Sequence, residues 1–207
     1  MNRPAGSLDK LETALGHRFT NPDLLRQALT HASAATHSRE PSNERLEFLG
    51  DRVLGLVMAR LLHDEFTDEE EGDLARRFAF LVRRDALADV AARIDLADHV
   101  AVSAGEEGAG GRDNPALLAD ACEAVIAALY LDGGLAVAEV FIHRQWRSLI
   151  DADPTPPQDS KTALQEWAQA RGLALPAYRE LDREGPAHAP QFRVEVSVAG
   201  EAPESGT

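Results

Sequence analysis

The stretch "NERLEFLGDRVLG", residues 43–55, places three carboxylates inside a segment that otherwise has the pattern of a buried helix. At about 100° per residue, Glu44, Glu47 and Asp51 project within one arc of about 60°. Gly55 falls in the same arc and is expected to leave space beside the acids. Acids at a helix start complement its macrodipole, which accounts for Glu44 but not for Asp51, about two turns further on. We therefore interpret the three acids as a functional cluster on one face of the helix.

The rest of this segment predicts one long helix that runs to about residue 65. Asn43 is expected to cap its start. The side opposite the acids is apolar and is expected to be covered by the core, through Leu49, Val53, Leu56 and Val57.

A second helix, within "LLADACEAVIAALYLD", carries Asp120 and Glu123 three positions apart in an apolar setting. Small residues, Ala116, Ala124 and Ala127, surround them. If the two acidic faces meet, Glu47, Asp51, Asp120 and Glu123 form a carboxylate cage that requires cations. Hard oxygen ligands select Mg²⁺ or Mn²⁺, and such a cage suits metal-assisted phosphodiester hydrolysis.

Composition sets limits on the class of protein. The chain has 207 residues, 44% of them hydrophobic, and a single cysteine, Cys122, which suits a reducing compartment. No signal peptide or membrane-spanning stretch is visible, so we expect a cytoplasmic protein that has no membrane partner. The net charge of −14 argues against an anionic partner unless some of the acids bind cations.

Helix start and stop signals and a proline-rich stretch along the chain predict two unequal domains. Residues 1–150 form an all-helical domain of about seven helices, with Gly16 as a stop signal and with starts at Asn21–Pro22 and Asn114–Pro115. The stretch "SAGEEGAGGRDN" is expected to be a glycine-rich loop. Residues 151–159 contain three prolines and form a flexible linker. Residues 160–207 contain a short helix and two alternating strands, and no third strand or closing helix is expected.

Other chemistry-bearing residues give weaker signals. "DEEEGD", from Asp68 to Asp73, is most simply a solvated acidic turn at a helix start, and Glu71 is its member of interest. The seven histidines show no paired ligand spacing, and Ser33 and Cys122 lack a recognisable base partner. Covalent catalysis is therefore not expected.

These segments resemble the ribonuclease III family. The resemblance rests on "NERLEFLGDRVLG", "THAS", "DEEEGDLARRFAFLV" and "NPALLADACEAVIAALYLDGG", and it covers residues 8–150 in order. It implies an all-α nuclease domain of the ribonuclease III fold, followed by an incomplete α+β double-stranded RNA-binding domain in residues 160–207. It also implies a homodimeric, Mg²⁺-dependent endonuclease that cleaves double-stranded RNA. The products would carry 5′-phosphates, 3′-hydroxyls and short 3′ overhangs, and the usual roles are rRNA and mRNA processing.

The resemblance also assigns roles by position. Glu47, Asp51, Asp120 and Glu123 match the family's metal ligands, and Asp51 and Glu123 are the expected catalytic residues. Glu44 and Glu71 match further acids of the catalytic valley. The RNA-binding residues implied for the second domain are Thr162, Gln165, Glu166 and His188.

The sequence departs from the family at its end, where a basic closing helix would follow. Residues 151–207 hold five basic residues against ten acidic ones. We therefore expect the RNA-binding domain, as it stands, to be marginally stable and weak in binding.

Two alternatives remain open at this point. One is a protein that binds folded RNA without cutting it, which the acidic balance favours. The other is a structural helical dimer whose acids are merely solvated. Mg²⁺-dependent cleavage products would distinguish the nuclease from both.

Overall fold

The computed structural model divides into two compact units, residues 1–157 and 158–207. The first unit is built of helices, and the second contains one helix and a small antiparallel sheet. No helix in the described part of the chain is both long and apolar enough to cross a membrane. The described residues are 8–35, 41–152, 160–185 and 190–206.

The first unit contains nine α-helices in its described residues, more than the seven or so that the sequence predicts. They are α1 (Leu8–Leu15), α2 (Pro22–Ala28), α3 (Ala32–Ala35), α4 (Glu44–Glu65), α5 (Glu71–Leu81), α6 (Arg84–Arg93), α7 (Ala104–Gly108), α8 (Pro115–Gly133) and α9 (Leu135–Asp151). The additional helices, α3 and α7, have only four and five residues. Asp151, predicted to begin the linker, is the last residue of α9.

Local capping chemistry sets several helix boundaries as predicted. Gly16 follows α1 with φ +73°, a left-handed conformation that glycine adopts readily. Asn21 and Asn114 cap α2 and α8, because each side chain accepts a hydrogen bond from the backbone N–H two residues on. A proline follows each cap at the first helical position, where a backbone N–H has no partner in the helix.

The cap predicted at Asn43 is wrong, although α4 begins and ends where expected. The Asn43 backbone is helical (φ −76°, ψ −14°), and its side chain makes no capping hydrogen bond. Its Nδ2 is buried and has no hydrogen-bond partner among the described residues. Instead, the backbone N–H of Asn43 donates to the carbonyl oxygen of Thr30 at 2.9 Å. This bond ties the start of α4 to the residues after α2.

The glycine-rich stretch predicted as a loop contains α7 and a 3₁₀ turn at Gly111–Asp113. Ser103 starts α7, because its Oγ accepts a hydrogen bond from the N–H of Glu106 at 3.2 Å. A serine followed three residues later by glutamate is a capping-box pattern. The density of glycine obscures this signal in the sequence.

Helix α8 lies at the centre of the first unit. Eleven of its nineteen residues are buried, and α2, α4, α6 and α9 all pack against it. Trp146 of α9 is fully buried, and its Nε1 donates to the carbonyl oxygen of Leu81 at 2.7 Å. The first three turns of α8 carry only two charged residues, Asp120 and Glu123. Both acids therefore lie at the edge of the core.

The second unit contains α10 (Ser160–Ala170) and the antiparallel strands β1 (Ala177–Glu184), β2 (Gln191–Ser197) and β3 (Glu204–Gly206), in the order β1-β2-β3. Helix α10 and the first two strands match the prediction. The expectation of no third strand is wrong, because Glu204 pairs with Val196 and Gly206 with Val194. β3 is too short and too polar for alternation to reveal it, and its pairing with β2 defines it.

Candidate metal centre

Three carboxylates from two helices converge where α4 packs on α8. Oxygen atoms of Glu47, Asp120 and Glu123 all lie within 4.8 Å of one another, and each of these residues is half-buried. We call this group the acid trio. Glu47 lies in the first turn of α4, and the other two lie three residues apart in the N-terminal half of α8. The structure thus brings together three of the four acids that the sequence predicts as a cage.

The acid trio resists full ionisation. Burial, and then the charges of Glu47 and Asp120, raise the pKa of Glu123 to about 7, although Arg52 partly opposes this. Burial, followed by the charges of Asp120 and Glu44, also raises the pKa of Glu47. Like charges at this spacing therefore call for a neutralising cation or for bound protons.

At Asp120, two basic residues oppose the rise in pKa that burial causes. Burial raises the pKa of Asp120, and the charges of Arg84 and then His31 lower it. Arg84 is the exposed first residue of α6, and His31 precedes α3. No sequence pattern connects either residue with α8, and "THAS" is the only signal that touches His31. Sequence reasoning therefore missed both as neighbours of the site.

His31 is held in place by one hydrogen bond within its own segment and by another to the residues before α7. Its Nδ1 lies 2.9 Å from the Oγ of Ser33, which accepts a hydrogen bond from the N–H of Ser103. The His31 N–H donates to the carbonyl oxygen of Ala101 at 3.0 Å. These bonds join the residues after α2 to the residues before α7, beside Asp120.

The donor set suits a hard divalent cation. All three candidate ligands are carboxylates, and their oxygen atoms lie within 4.8 Å of one another, near enough for one cation to gather them with small side-chain adjustments. Cys122 precedes Glu123 but is fully buried, and burial raises the pKa of its thiol. A thiolate ligand from Cys122 is therefore not available to the site.

Asp51 lies outside the acid trio. Its carboxylate contacts the Nη1 of Arg52, and the side chain is 44% exposed. The Arg52 guanidinium also lies 5.2 Å from the ring centroid of Phe48. Asp51 nevertheless follows Glu47 by four residues on α4, so the two acids share one face of the helix.

The two supporting acids predicted for the valley are exposed and lie outside the trio. Glu44 accepts a hydrogen bond from the Oγ of Ser42 at 2.7 Å, and its charge acts on Glu47. Glu71 is the first residue of α5.

One expectation about α4 is wrong. Leu56 was expected to face the core, but its side chain is 60% exposed. At Gly55, a Cβ would meet the ring of Phe78 from α5 at 3.6 Å, an ordinary van der Waals contact, so the position has room for little more than a methyl group. The helical wheel gives directions around α4 but does not say which directions a neighbouring helix covers.

The predicted RNA-binding residues lie mostly on α10. Thr162 and Glu166 are exposed, Gln165 is half-buried, and His188 lies outside the described residues. Nearby, the Lys161 Nζ lies 5.1 Å from the ring centroid of Tyr178.

Comparison with known proteins identifies both units. Residues 21–149 match the family model described as "Ribonuclease-III-like". The chain belongs to the ribonuclease III family. It is 52% identical to the Ribonuclease 3 of Jannaschia sp. (strain CCS1), covering 95% of this chain and 86% of that protein. It is 51% identical to the Ribonuclease 3 of Rhodobacter capsulatus, covering 97% and 88%.

Residues 160–207 match the model described as "Double-stranded RNA binding motif". A solved structure of the ribonuclease III nuclease domain from Campylobacter jejuni, which describes flexibility in a region involved in dimer formation, is 40% identical with a TM-score of 0.64. It covers 67% of this chain and 95% of that chain. These findings confirm the predicted fold class. This member of the ribonuclease III family is an endoribonuclease that acts on double-stranded RNA.

Proposed function

We propose that the chain cleaves double-stranded RNA by Mg²⁺-dependent hydrolysis, leaving 5′-phosphate and 3′-hydroxyl ends with short 3′ overhangs. The observation that carries this proposal is the acid trio between α4 and α8, within the residues that match the ribonuclease family. Three oxygen ligands favour Mg²⁺, and Mn²⁺ is the expected substitute. The proposed roles are rRNA and mRNA processing in the cytoplasm.

Four acids are assigned to the cation. Glu47, Asp120 and Glu123 would hold it directly, and Asp51 would exchange its contact with Arg52 for the cation. Bound Mg²⁺ would lower the pKa of an attacking water and stabilise the leaving oxygen.

Asp51 and Glu123 are the proposed catalytic residues. Because burial and like charges raise the pKa of Glu123 to about 7, its carboxyl can exchange a proton near neutral pH when no cation is bound. Glu44 and Glu71 are proposed as supporting acids. The charge of Glu44 raises the pKa of Glu47, so Glu44 makes the binding of a cation at the site more favourable.

Residues 160–207 are proposed to hold the RNA through Thr162, Gln165, Glu166 and His188. Such modules recognise the shape of A-form RNA through its 2′-hydroxyls and phosphates, which suits a nuclease that acts on many paired sequences. We also propose a three-part organisation, with a catalytic domain at 1–150, a linker at 151–159 and the RNA-binding domain at 160–207.

A homodimer is proposed through the exposed face of α4. Phe48 is 68% exposed and Leu56 is 60% exposed, and both lie on this helix together with Arg52. Residues at i, i+4 and i+8 form a stripe along one side of a helix, so Phe48 and Leu56 lie on the same exposed side of α4 with Arg52 between them. A second copy of the chain would bury this stripe.

The test is incubation of the purified chain with a long, fully paired RNA in Mg²⁺ or in EDTA. We expect short duplex products only in Mg²⁺, and end-labelling should detect 5′-phosphates. Glu123→Gln should reduce the cleavage rate at least about 100-fold, which corresponds to about 3 kcal/mol of transition-state stabilisation. Asp89→Asn, which changes an exposed acid of α6, should cleave as the wild type does.

Undiminished cleavage by the Glu123→Gln variant at saturating Mg²⁺ would contradict the proposed site. Tight RNA binding without Mg²⁺-dependent products would instead favour a protein that only binds RNA.

A further inference from the structure

Gly50 lies in α4, between Glu47 and Asp51, and is buried against α8. A Cβ at this position would lie 1.8 Å from the carbonyl oxygen of Glu123, 2.5 Å from its carbonyl carbon and 3.1 Å from its Cα. All three are backbone atoms, so no side-chain rotation could relieve the overlap. The backbones of the two helices are thus in close contact at the residue that bears one of the trio carboxylates.

We propose that Gly50 is a positioning residue for the metal centre, because its missing side chain sets the α4–α8 separation at which Glu47 can share a cation with Asp120 and Glu123. This inference rests on the proposed function. It concerns how the acids are brought together and adds no ligand to the site. Gly50 has no side chain and so supplies no ligand atom of its own to the site.

The required displacement is large compared with the tolerance of a metal site. Real Cβ atoms essentially never approach another heavy atom closer than 3.0 Å, so an added methyl group starting at 1.8 Å would force a local separation of at least 1.2 Å. Mg²⁺ demands near-ideal octahedral geometry, with metal–oxygen distances of about 2.0–2.1 Å. A shift of that size between Glu47 on α4 and Glu123 on α8 would break the shared coordination.

Helix α4 also supplies a matched control. Gly55 lies five residues further along the same helix, where a Cβ would meet Phe78 at 3.6 Å, an ordinary van der Waals contact. Gly50→Ala and Gly55→Ala make the same chemical change in the same helix and gain the same helix propensity. They differ in what the new methyl group meets.

The experiment titrates Mn²⁺ into each full-length protein without RNA and measures free Mn²⁺ by electron paramagnetic resonance. We expect Gly50→Ala to bind Mn²⁺ at least about tenfold more weakly than the wild type, in the range seen when groups that orient metal ligands are lost. Gly55→Ala should bind within about twofold of the wild type. Far-UV circular dichroism, and the fluorescence of the buried Trp146 in a Trp167→Phe background, report whether each variant is folded.

Three results would overturn the proposal. One is a folded Gly50→Ala variant with unchanged Mn²⁺ affinity, and another is an equal loss in both variants. If Gly50→Ala is unfolded in buffer, the titration is repeated in trimethylamine N-oxide, which favours compact states, with the wild type in the same solution. Failure to fold even there would overturn the proposal, because Gly50 would then be required by the fold as a whole. Absence of Mn²⁺ binding in the wild type would instead defeat the proposed function.

Discussion

Glu123 should make the metal-free protein less stable as the pH rises through neutrality. Its pKa is about 7 in the folded protein, against an ordinary value of 4.5. The folded state therefore binds this proton more tightly than the unfolded state does. Below pH 4.5 the carboxyl is protonated in both states and imposes no penalty. The penalty grows between pH 4.5 and 7 and is complete above pH 7.

The magnitude follows from the same two values. A difference of one pKa unit is worth about 1.36 kcal/mol, so the interval from 4.5 to about 7 corresponds to an upper bound of about 3 kcal/mol, which solvent screening of this half-buried carboxyl lowers. Glu47 and Asp120 share part of this cost, because the three carboxyls titrate as a group. Glu123→Gln removes the charge while keeping the size of the side chain. In EDTA, the variant should be as stable as the wild type at pH 4.5 and up to about 3 kcal/mol more stable at pH 8.

Mg²⁺ should reverse this order. A cation that binds only the folded protein stabilises it by about 4.1 kcal/mol at 1,000 times its dissociation constant, which exceeds the deficit of about 3 kcal/mol. The wild type should gain this stability at pH 8, and Glu123→Gln should gain little of it. A wild type that is less stable than Glu123→Gln in EDTA but more stable in Mg²⁺ would indicate that the Glu123 carboxylate serves to bind a cation.

Urea unfolding at pH 4.5, 6, 7 and 8 measures both effects. Trp167→Phe in every protein would leave Trp146, which is fully buried in the first unit, as the fluorescent reporter. Asp89→Asn serves as the control for loss of an exposed acid. Equal stability of the wild type and Glu123→Gln at pH 8 in EDTA would refute the reasoning, as would a stability advantage of the variant at pH 4.5.

Two further predictions concern other parts of the first unit. Phe48→Asp should convert the proposed dimer to a monomer in sedimentation equilibrium, whereas Val140→Asp, which changes an equally exposed side chain on α9, should not. The Glu69 carboxylate accepts hydrogen bonds from the buried Arg77 guanidinium at 2.6–3.0 Å. Arg77→Met should destabilise the protein by about 3–5 kcal/mol in urea unfolding, because it removes the opposite charge from this partly buried carboxylate. Replacing Glu69 and Arg77 together with leucine should cost much less, and an equal cost would contradict this account of the ion pair.

Short-range signals predicted the helix boundaries well, because capping chemistry is local. Asn21, Asn114 and Gly16 act within a few residues of their own positions, and the structure confirms all three. The cap at Asn43 failed because a tertiary bond to Thr30 fixes the backbone there. β3 was not predicted for a related reason, because it is defined by its pairing with β2 and not by its own residues.

The acid trio was partly predictable, because helical spacing gives the direction of each carboxylate on its own helix. Spacing alone could not show that Asp51 lies against Arg52 or that Arg84 and His31 act on Asp120. The first fact depends on the side-chain rotamers of two adjacent residues, and the second depends on how separate segments pack. The importance of Gly50 was hidden for the same reason, since its neighbour Glu123 is 73 positions away along the chain.

The position of the acid trio on the long helices explains how the fold tolerates it. Repulsion is confined to the N-terminal turns of α4 and to one side of α8, while Leu54 and Met58 of α4 and Ile126 and Leu129 of α8 are fully buried further along. Each such side chain contributes about 1.5–3 kcal/mol, so two of them offset even the upper bound of about 3 kcal/mol for the penalty from Glu123. Packing beyond the site can therefore keep α4 and α8 together without the cation. The carboxylates are then available for metal binding and are not needed to hold the helices in place.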